Sequence, residues 1–303
     1  MKILFVGGSY DNNGGKSSKL VQKFAQEMTN NGYDVTLYNG GYFSEIVNHL
    51  QETQNYDIVF WWANVPNDYE KIRDVKEVNP KCMLITSKRN DNEKYNFGQL
   101  INFALTRKAN LSIEFSKREG IFHIMVFDPL GTLWYKGTDI QESARKVMER
   151  LEFLSKISRQ KTIQTAETIE VPDQPEFFAL VKKYVEVFHK LINPANEVTR
   201  FLGNSSYRCQ RGFPSFKTDK YIYVSRRNVD KRYIDRDNFV PVYYEDGEVY
   251  YLGNNKPSVD TPIQVRLYHE LININYMIHA HVYIKDAPFT RLPIPCGGLE
   301  EVT

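Results

Sequence analysis

Two histidines spaced by a single residue, His279 and His281, and an aspartate upstream of them, Asp260, form a combination able to hold a metal ion. The run 276–284 reads as a β-strand, and residues i and i+2 of a strand project from the same face. Both imidazoles then reach one point, at the bond length of about 2.0–2.1 Å that zinc requires. Asp260 precedes a helical run over 261–272, and its carboxylate brings the donor count to three. Imidazole plus carboxylate suits Zn²⁺, with Mn²⁺ or Fe²⁺ as the other candidates. The competing reading is an HxH pair that decorates the surface or joins a hydrogen-bonded core. His269 reads as a helix-end residue, and His49, His123 and His189 have no acidic or cysteine partner at a useful spacing.

A second group of residues lies near the N-terminus. Residues 7–18 (GGSYDNNGGKSS) follow an apolar strand and open a helix, and Gly8, Ser9, Gly15, Ser17 and Ser18 are candidates for a nucleotide or phosphate loop. Glycines and hydroxyls at a helix N-terminus let backbone N–H groups approach a phosphate. The spacing is neither that of a Walker A loop nor GxGxxG. The alternative is a glycine-rich turn that closes a βα unit. Trp61, Trp62 and Asn64 with Asn67 and Asp68 follow the third strand, and Lys88 and Arg89 the fourth, at the edge where open parallel sheets bind ligands.

The elements that must position these residues alternate in the first half. Runs 2–6, 34–38, 57–62 and 82–86 read as strands, and 16–30, 43–52, 68–77 and 95–108 as helices, with Gly32 a stop for the first helix. That alternation implies a doubly wound parallel sheet of α/β class. Strands 111–116 and 121–127 read as a hairpin, and 139–157 as a closing amphipathic helix. Residues 158–174 are polar and poorly periodic and read as a linker between a domain over 1–157 and another over 175–303. The second domain shows a helix over 175–192, strands at 220–225, 239–244 and 248–252, the helix over 261–272 and the HxH strand, an α/β/α pattern with an antiparallel sheet.

Composition bounds the function classes. A formal net charge of +2 does not favour nucleic acid as the main partner. No apolar run is long enough for a membrane span, and the N-terminus has no signal-peptide pattern, so a cytoplasmic protein is expected. Three scattered cysteines, Cys82, Cys209 and Cys296, do not form a disulfide framework.

The stretch 256–284 (KPSVDTPIQVRLYHELININYMIHAHVYI) resembles the class II aldolase/adducin family, in which a Pro-Ser-Ser-Glu or Pro-Ser-Ser-Asp element opens a helix and an HxH strand follows. Upstream, 203–208 (GNSSYR) is similar to the family's Gly-Asn-x-Ser-x-Arg turn, and 223–231 (YVSRRNVDK) to its Ile-Thr-Pro-Ser-Gly-x-Asp-Lys segment. The resemblance implies Asp260, His279 and His281 as metal ligands, Asp260 as a catalytic residue, and Asn204, Ser225 and Ser258 as holders of a substrate phosphate. It further implies an aldolase or a sugar-phosphate 4-epimerase working by retro-aldol chemistry on a small phosphorylated sugar, assembled as a homo-oligomer. Asp rather than Glu at position 260 is closer to the epimerase branch. Three features depart from the family. Val259 replaces the second serine, Arg226-Arg227-Asn228 replaces Pro-Ser-Gly, and no histidine follows His281. A third ligand then comes from another protomer, lies beyond a chain cut short at Thr303, or is missing. A non-catalytic, adducin-like module for assembly or ligand binding is the rival reading. The first forty residues are similar to flavodoxin-like flavin reductases, which implies FMN or a nucleotide as the ligand of a flavin or nucleotide enzyme there.

Overall fold

The computed structural model describes residues 1–65, 78–79, 81–107, 109–192, 201–209, 220–281, 286–288, 293–295 and 297–302. The chain divides into two compact units, Met1–Lys156 and Ile157–Thr303.

The first unit runs β1 (Lys2–Asp11), α1 (Lys19–Asn30), β2 (Asp34–Tyr42), α2 (Glu45–Glu52), β3 (Ile58–Asn64), β4 (Cys82–Arg89), α3 (Phe97–Thr106), β5 (Leu111–Arg118), β6 (Ile121–Phe127), β7 (Leu133–Gly137) and α4 (Ile140–Lys156). Its seven strands lie in the order β2-β1-β3-β4-β5-β6-β7. The strands from β2 to β5 pair in parallel, and β6 and β7 add antiparallel. The 2-1-3-4-5 order is that of flavodoxin-type doubly wound sheets. The sequence dictates this through β1. Ile3 and Phe5 pack on one face with Val21 and Phe24 of α1 and Val147 and Leu151 of α4, while Leu4 and Val6 pack on the other with Ile46 of α2. A strand covered on both faces reads as an unbroken apolar run rather than an alternating one. Helix α1 starts at Ser18, whose side chain accepts from the Val21 N–H, and stops before Gly32 as expected.

Two details differ from the sequence reading, and one expected element is untested. Strand β1 continues past the apolar run to Asp11, because its glycines and Ser9 still pair with β2 and β3. Strand β7 is an additional edge. The expected helix over 68–77 lies outside the described residues.

The second unit runs β8 (Thr162–Thr165), α5 (Pro175–Ile192), β9 (Asn204–Arg208), β10 (Ile222–Ser225), β11 (Phe239–Glu245), β12 (Glu248–Leu252), α6 (Thr261–Glu270) and β13 (Tyr276–His279). The sheet order is β13-β9-β10-β11-β12-β8, antiparallel except for the β12–β8 pair. Phe177 and Val181 of α5 pack on one face with Tyr207, Tyr223 and Phe239, and Val265 and Tyr268 of α6 on the other with Val224, Val240 and Val242. This is the α/β/α layering expected. Residues 158–174, read above as a linker, instead contribute β8 to this sheet, so they belong to the second unit. Residues 204–208, read as a turn, form the strand β9. Among the described residues no helix is long and apolar enough to cross a membrane.

Candidate functional site

Sheet register builds the site. Antiparallel pairing of β13 with β9 sets His279 opposite Asn204. The Asn204 Nδ2 lies 3.1 Å from His279 Nδ1 and donates to Asp260 Oδ2 at 2.8 Å. His279 Nδ1 is 3.3 Å from the same Asp260 oxygen. The imidazole of His281, beyond the end of β13, stacks on that of His279 with centroids 5.0 Å apart and planes 23° from parallel, so both rings share one side as the spacing predicts.

Asp260 arrives from a turn docked onto β10. The Ser258 N–H donates to the Ser225 carbonyl, the Thr261 hydroxyl to the Ser258 carbonyl at 2.7 Å, and the Asp260 N–H to Ser258 Oγ. A proline in the first turn starts α6, where a missing N–H costs nothing. Asp260 occupies the N-cap position without capping, which leaves its carboxylate for Asn204 and His279. Gln264, one helical turn on, donates to Asn204 Oδ1 and fixes that amide from the far side.

Burial opposes ionisation of Asp260. The hydrogen bond and charge of His279, the charge of His281 and the Gly297 N–H nevertheless hold its carboxyl below the ordinary range. Burial likewise disfavours a charged His279, but its contact with Asp260 and the nearby charge of Glu301 raise it. Two titratable groups that the sequence reading did not pick out border this pair. Glu301 is pushed up to about 7 by burial first and by Asp260 second. Lys231 is brought down to about 8 by burial. Their place depends on burial, which no local spacing shows; only Gln264, four residues after Asp260 on one helix face, left a readable signal.

The donor set fits a cation in part. Two ligands of tetrahedral zinc lie about 3.3 Å apart for bonds of 2.0–2.1 Å, and the Asp260–His279 contact has that separation. The side-chain oxygens Asp260 Oδ1, Ser205 Oγ and Gln264 Oε1 are buried without a hydrogen bond of normal geometry. However, among the described residues no group of three or more His, Cys, Asp or Glu side chains is arranged to hold a metal ion.

The three residues implied as phosphate holders are buried beside this pair. Ser225 Oγ accepts from the Ser205 N–H at 3.0 Å, Ser258 Oγ accepts from Asp260, and the Asn204 amide is engaged at both ends. Each serine hydroxyl keeps its own proton to donate. Asn228, in place of the family's glycine, adopts φ 60°, which asparagine tolerates, and its side chain accepts from the Phe201 N–H.

Residues 182–283 match the family described as Class II Aldolase and Adducin N-terminal domain. Asn204, Ser225, Ser258, Asp260, His279 and His281 all lie inside that segment. No curated protein matches the chain. Among solved structures, the DNA/Pantothenate Metabolism Flavoprotein from Streptococcus pneumoniae aligns at 13% identity with a TM-score of 0.39, covering 51% of this chain and 99% of that one. The C-terminal domain of the Coenzyme A biosynthesis bifunctional protein CoaBC aligns at 16% identity with a TM-score of 0.37, covering 50% and 94%.

The N-terminal loop is largely satisfied from within. The Ser9 N–H donates to the Lys16 carbonyl, Gly15 N–H to Gly41, Lys16 N–H to Ser9 Oγ and Ser18 N–H to Asn39 Oδ1. A Cβ on Gly15 would sit 1.9 Å from the Ser9 carbonyl oxygen. The glycines therefore serve close packing of the loop on β2. Trp61 and Trp62 are core residues, and Trp62 Nε1 donates to Ser87 Oγ at 2.9 Å. Lys88 lies over the Tyr95 and Phe103 rings, and Arg89 pairs with Asp91. Asn67 and Asp68 lie outside the described residues. His49 is buried and stacks on Tyr38, and His189 contacts Arg232.

Proposed function

We propose that the second unit is a divalent-cation-dependent aldolase or epimerase acting on a small phosphorylated sugar. The observation that carries this is the Asp260–His279 contact bridged by Asn204 inside the segment that matches the class II aldolase family. Asp260, His279 and His281 would hold the cation, Zn²⁺ or else Mn²⁺ or Fe²⁺. When bound, it supplies positive charge to the adjacent oxygens on which retro-aldol cleavage develops negative charge. Asn204 holds the Asp260 carboxylate in one rotamer with Oδ1 uncommitted. The Ser225 and Ser258 hydroxyls, buried beside Asp260, would donate to a phosphate. Catalysis at this site needs the charge on Asp260, which its partners favour despite burial.

Metal analysis and calorimetric titration of the purified protein test this reading. Saturable Zn²⁺ or Mn²⁺ binding is expected, with Asp260→Asn weakening it at least about tenfold, roughly 1.4 kcal/mol. Unchanged metal content in that variant would remove Asp260 from the ligand set. Release of an aldehyde from pentose or hexose phosphates, or their conversion to the epimer, is the activity readout.

The adducin-like reading draws on one observation: three donors do not converge among the described residues. Metal binding without turnover on those sugar phosphates, together with self-association in sedimentation, would favour it. For the first unit, the engaged N–H groups of residues 9–18 weigh against a phosphate cradle, and a preparation with flavin absorbance would overturn that.

A further inference from the structure

A cavity of about 450 Å³ in the first unit opens between the start of α3 and the face of the β5–β6–β7 sheet. Strand alternation decides what lines it. In β5, Leu111 and Ile113 enter the main core, so Glu114 and Ser116 project from the opposite face. Register then places Glu114 opposite Met125, Met125 opposite Lys136, and Ser116 opposite His123. A carboxylate and an ammonium group thus share one cross-strand row, with strand β6 between them. At the usual strand spacing their backbones are about 9–10 Å apart.

The charges on this lining are unevenly satisfied. Arg118 and Glu93 neutralise each other at 2.6 Å. Glu114 is 4% exposed; Asn90 and Ser116 hydrogen-bond its carboxylate and the charges of Arg118 and Lys136 act on it, yet its Oε1 is buried without a hydrogen-bond partner of normal geometry. Lys136 is exposed and has no ion pair among the described residues. Between and around these two lie Phe97, Leu100, Met125 and Leu133, an apolar wall. A buried unpaired carboxylate oxygen in a cavity of ligand size is the mark of a group that meets its partner in a complex.

We propose that this cavity binds a small zwitterion with an apolar body, of the apolar α-amino acid class, its ammonium group against Glu114 and its carboxylate against Lys136. A ligand with only a positive charge would leave Lys136 without a counter-charge, and one with only a negative charge would leave the Glu114 oxygen without a donor. Only a ligand carrying both satisfies the two ends together. Burial raises the Glu114 carboxyl, and an ammonium against it offsets that cost. The inference concerns the first unit alone and is independent of the cation site.

Calorimetric titration of the full chain with L-phenylalanine and L-leucine tests it, with phenethylamine and 3-phenylpropionate as singly charged analogues. Saturable binding of at least one amino acid is expected, with both analogues weaker by about tenfold or more. Glu114→Gln and Lys136→Met should each weaken the amino acid by a similar factor. Lys136 is exposed on an outer strand, so its variant tests the site even if Glu114→Gln fails to fold. No saturable binding of either amino acid, equal binding of the analogues, or binding that Lys136→Met leaves unchanged would overturn the proposal.

Discussion

Lys231 is a buried cation whose Nζ, among the described residues, donates to two backbone carbonyls, those of Val229 at 3.2 Å and Leu202 at 3.4 Å. It lines a small cavity of about 40 Å³ with His279. Its amine titrates near 8 in the folded protein, against an ordinary value of 10.5. The unfolded chain therefore binds more protons between those values, and stability rises with pH across that window. Below about 8 both states are protonated and the full cost of burial is present. The size is on the order of 3 kcal/mol, from 1.36 kcal/mol per pKa unit. Denaturant unfolding of Lys231→Met should show the variant gaining most over the parent near pH 7 and losing that advantage by about pH 10.5. An advantage that is flat with pH would refute this. The burial of Lys231 is hidden from sequence: its place at the end of the 223–231 motif gives no sign that its amine is enclosed. His279 and His281 were legible because the period-two geometry of a strand is local. Asp260 was legible through its place before a helical run and the motif around it.

Local elements were read well where apolar patterning is strong, and missed where it is not. Strand β9, NSSYR, is buried from Asn204 to Tyr207 but opens on three small polar side chains, so no alternation marks it. Strand β8, TIQT, is an edge strand with both central residues exposed. The β9–β13 pairing matters most, since it sets Asn204 against His279. Gly203 sits just before it at φ 76°, and a Cβ there would lie 2.3 Å from the His279 carbonyl oxygen. Alanine at 203 combines a left-handed backbone with a clash against backbone, and each is costly. Gly203→Ala should destabilise the second unit by at least about 2 kcal/mol, read by chemical denaturation. It should also displace His279, read as a change in its imidazole NMR shifts. Stability within about 0.5 kcal/mol of the parent would refute the role assigned to Gly203.

The chain as a whole carries two sheets, each with its own apolar core. Fragments cut between Lys156 and Ile157 should therefore each fold, since among the described residues each core is assembled from its own unit. Circular dichroism and thermal melts of residues 1–156 and 157–303 check this; a fragment without a cooperative transition would show dependence between them. The position of β8 sharpens where such a cut is allowed. The matched family segment opens at residue 182, inside α5, after β8 has already been laid against β12. The homologous segment is thus smaller than the unit that folds. A chain begun at 175 or 182 would leave the β12 backbone unpaired along Val249–Leu252, beside the exposed Tyr244, and open edges of this kind recruit other chains. For recombination, the transferable piece is the one that carries its own hem: the seventeen residues 158–174 that look like spacer are what keep the second sheet from adding a stranger's strand.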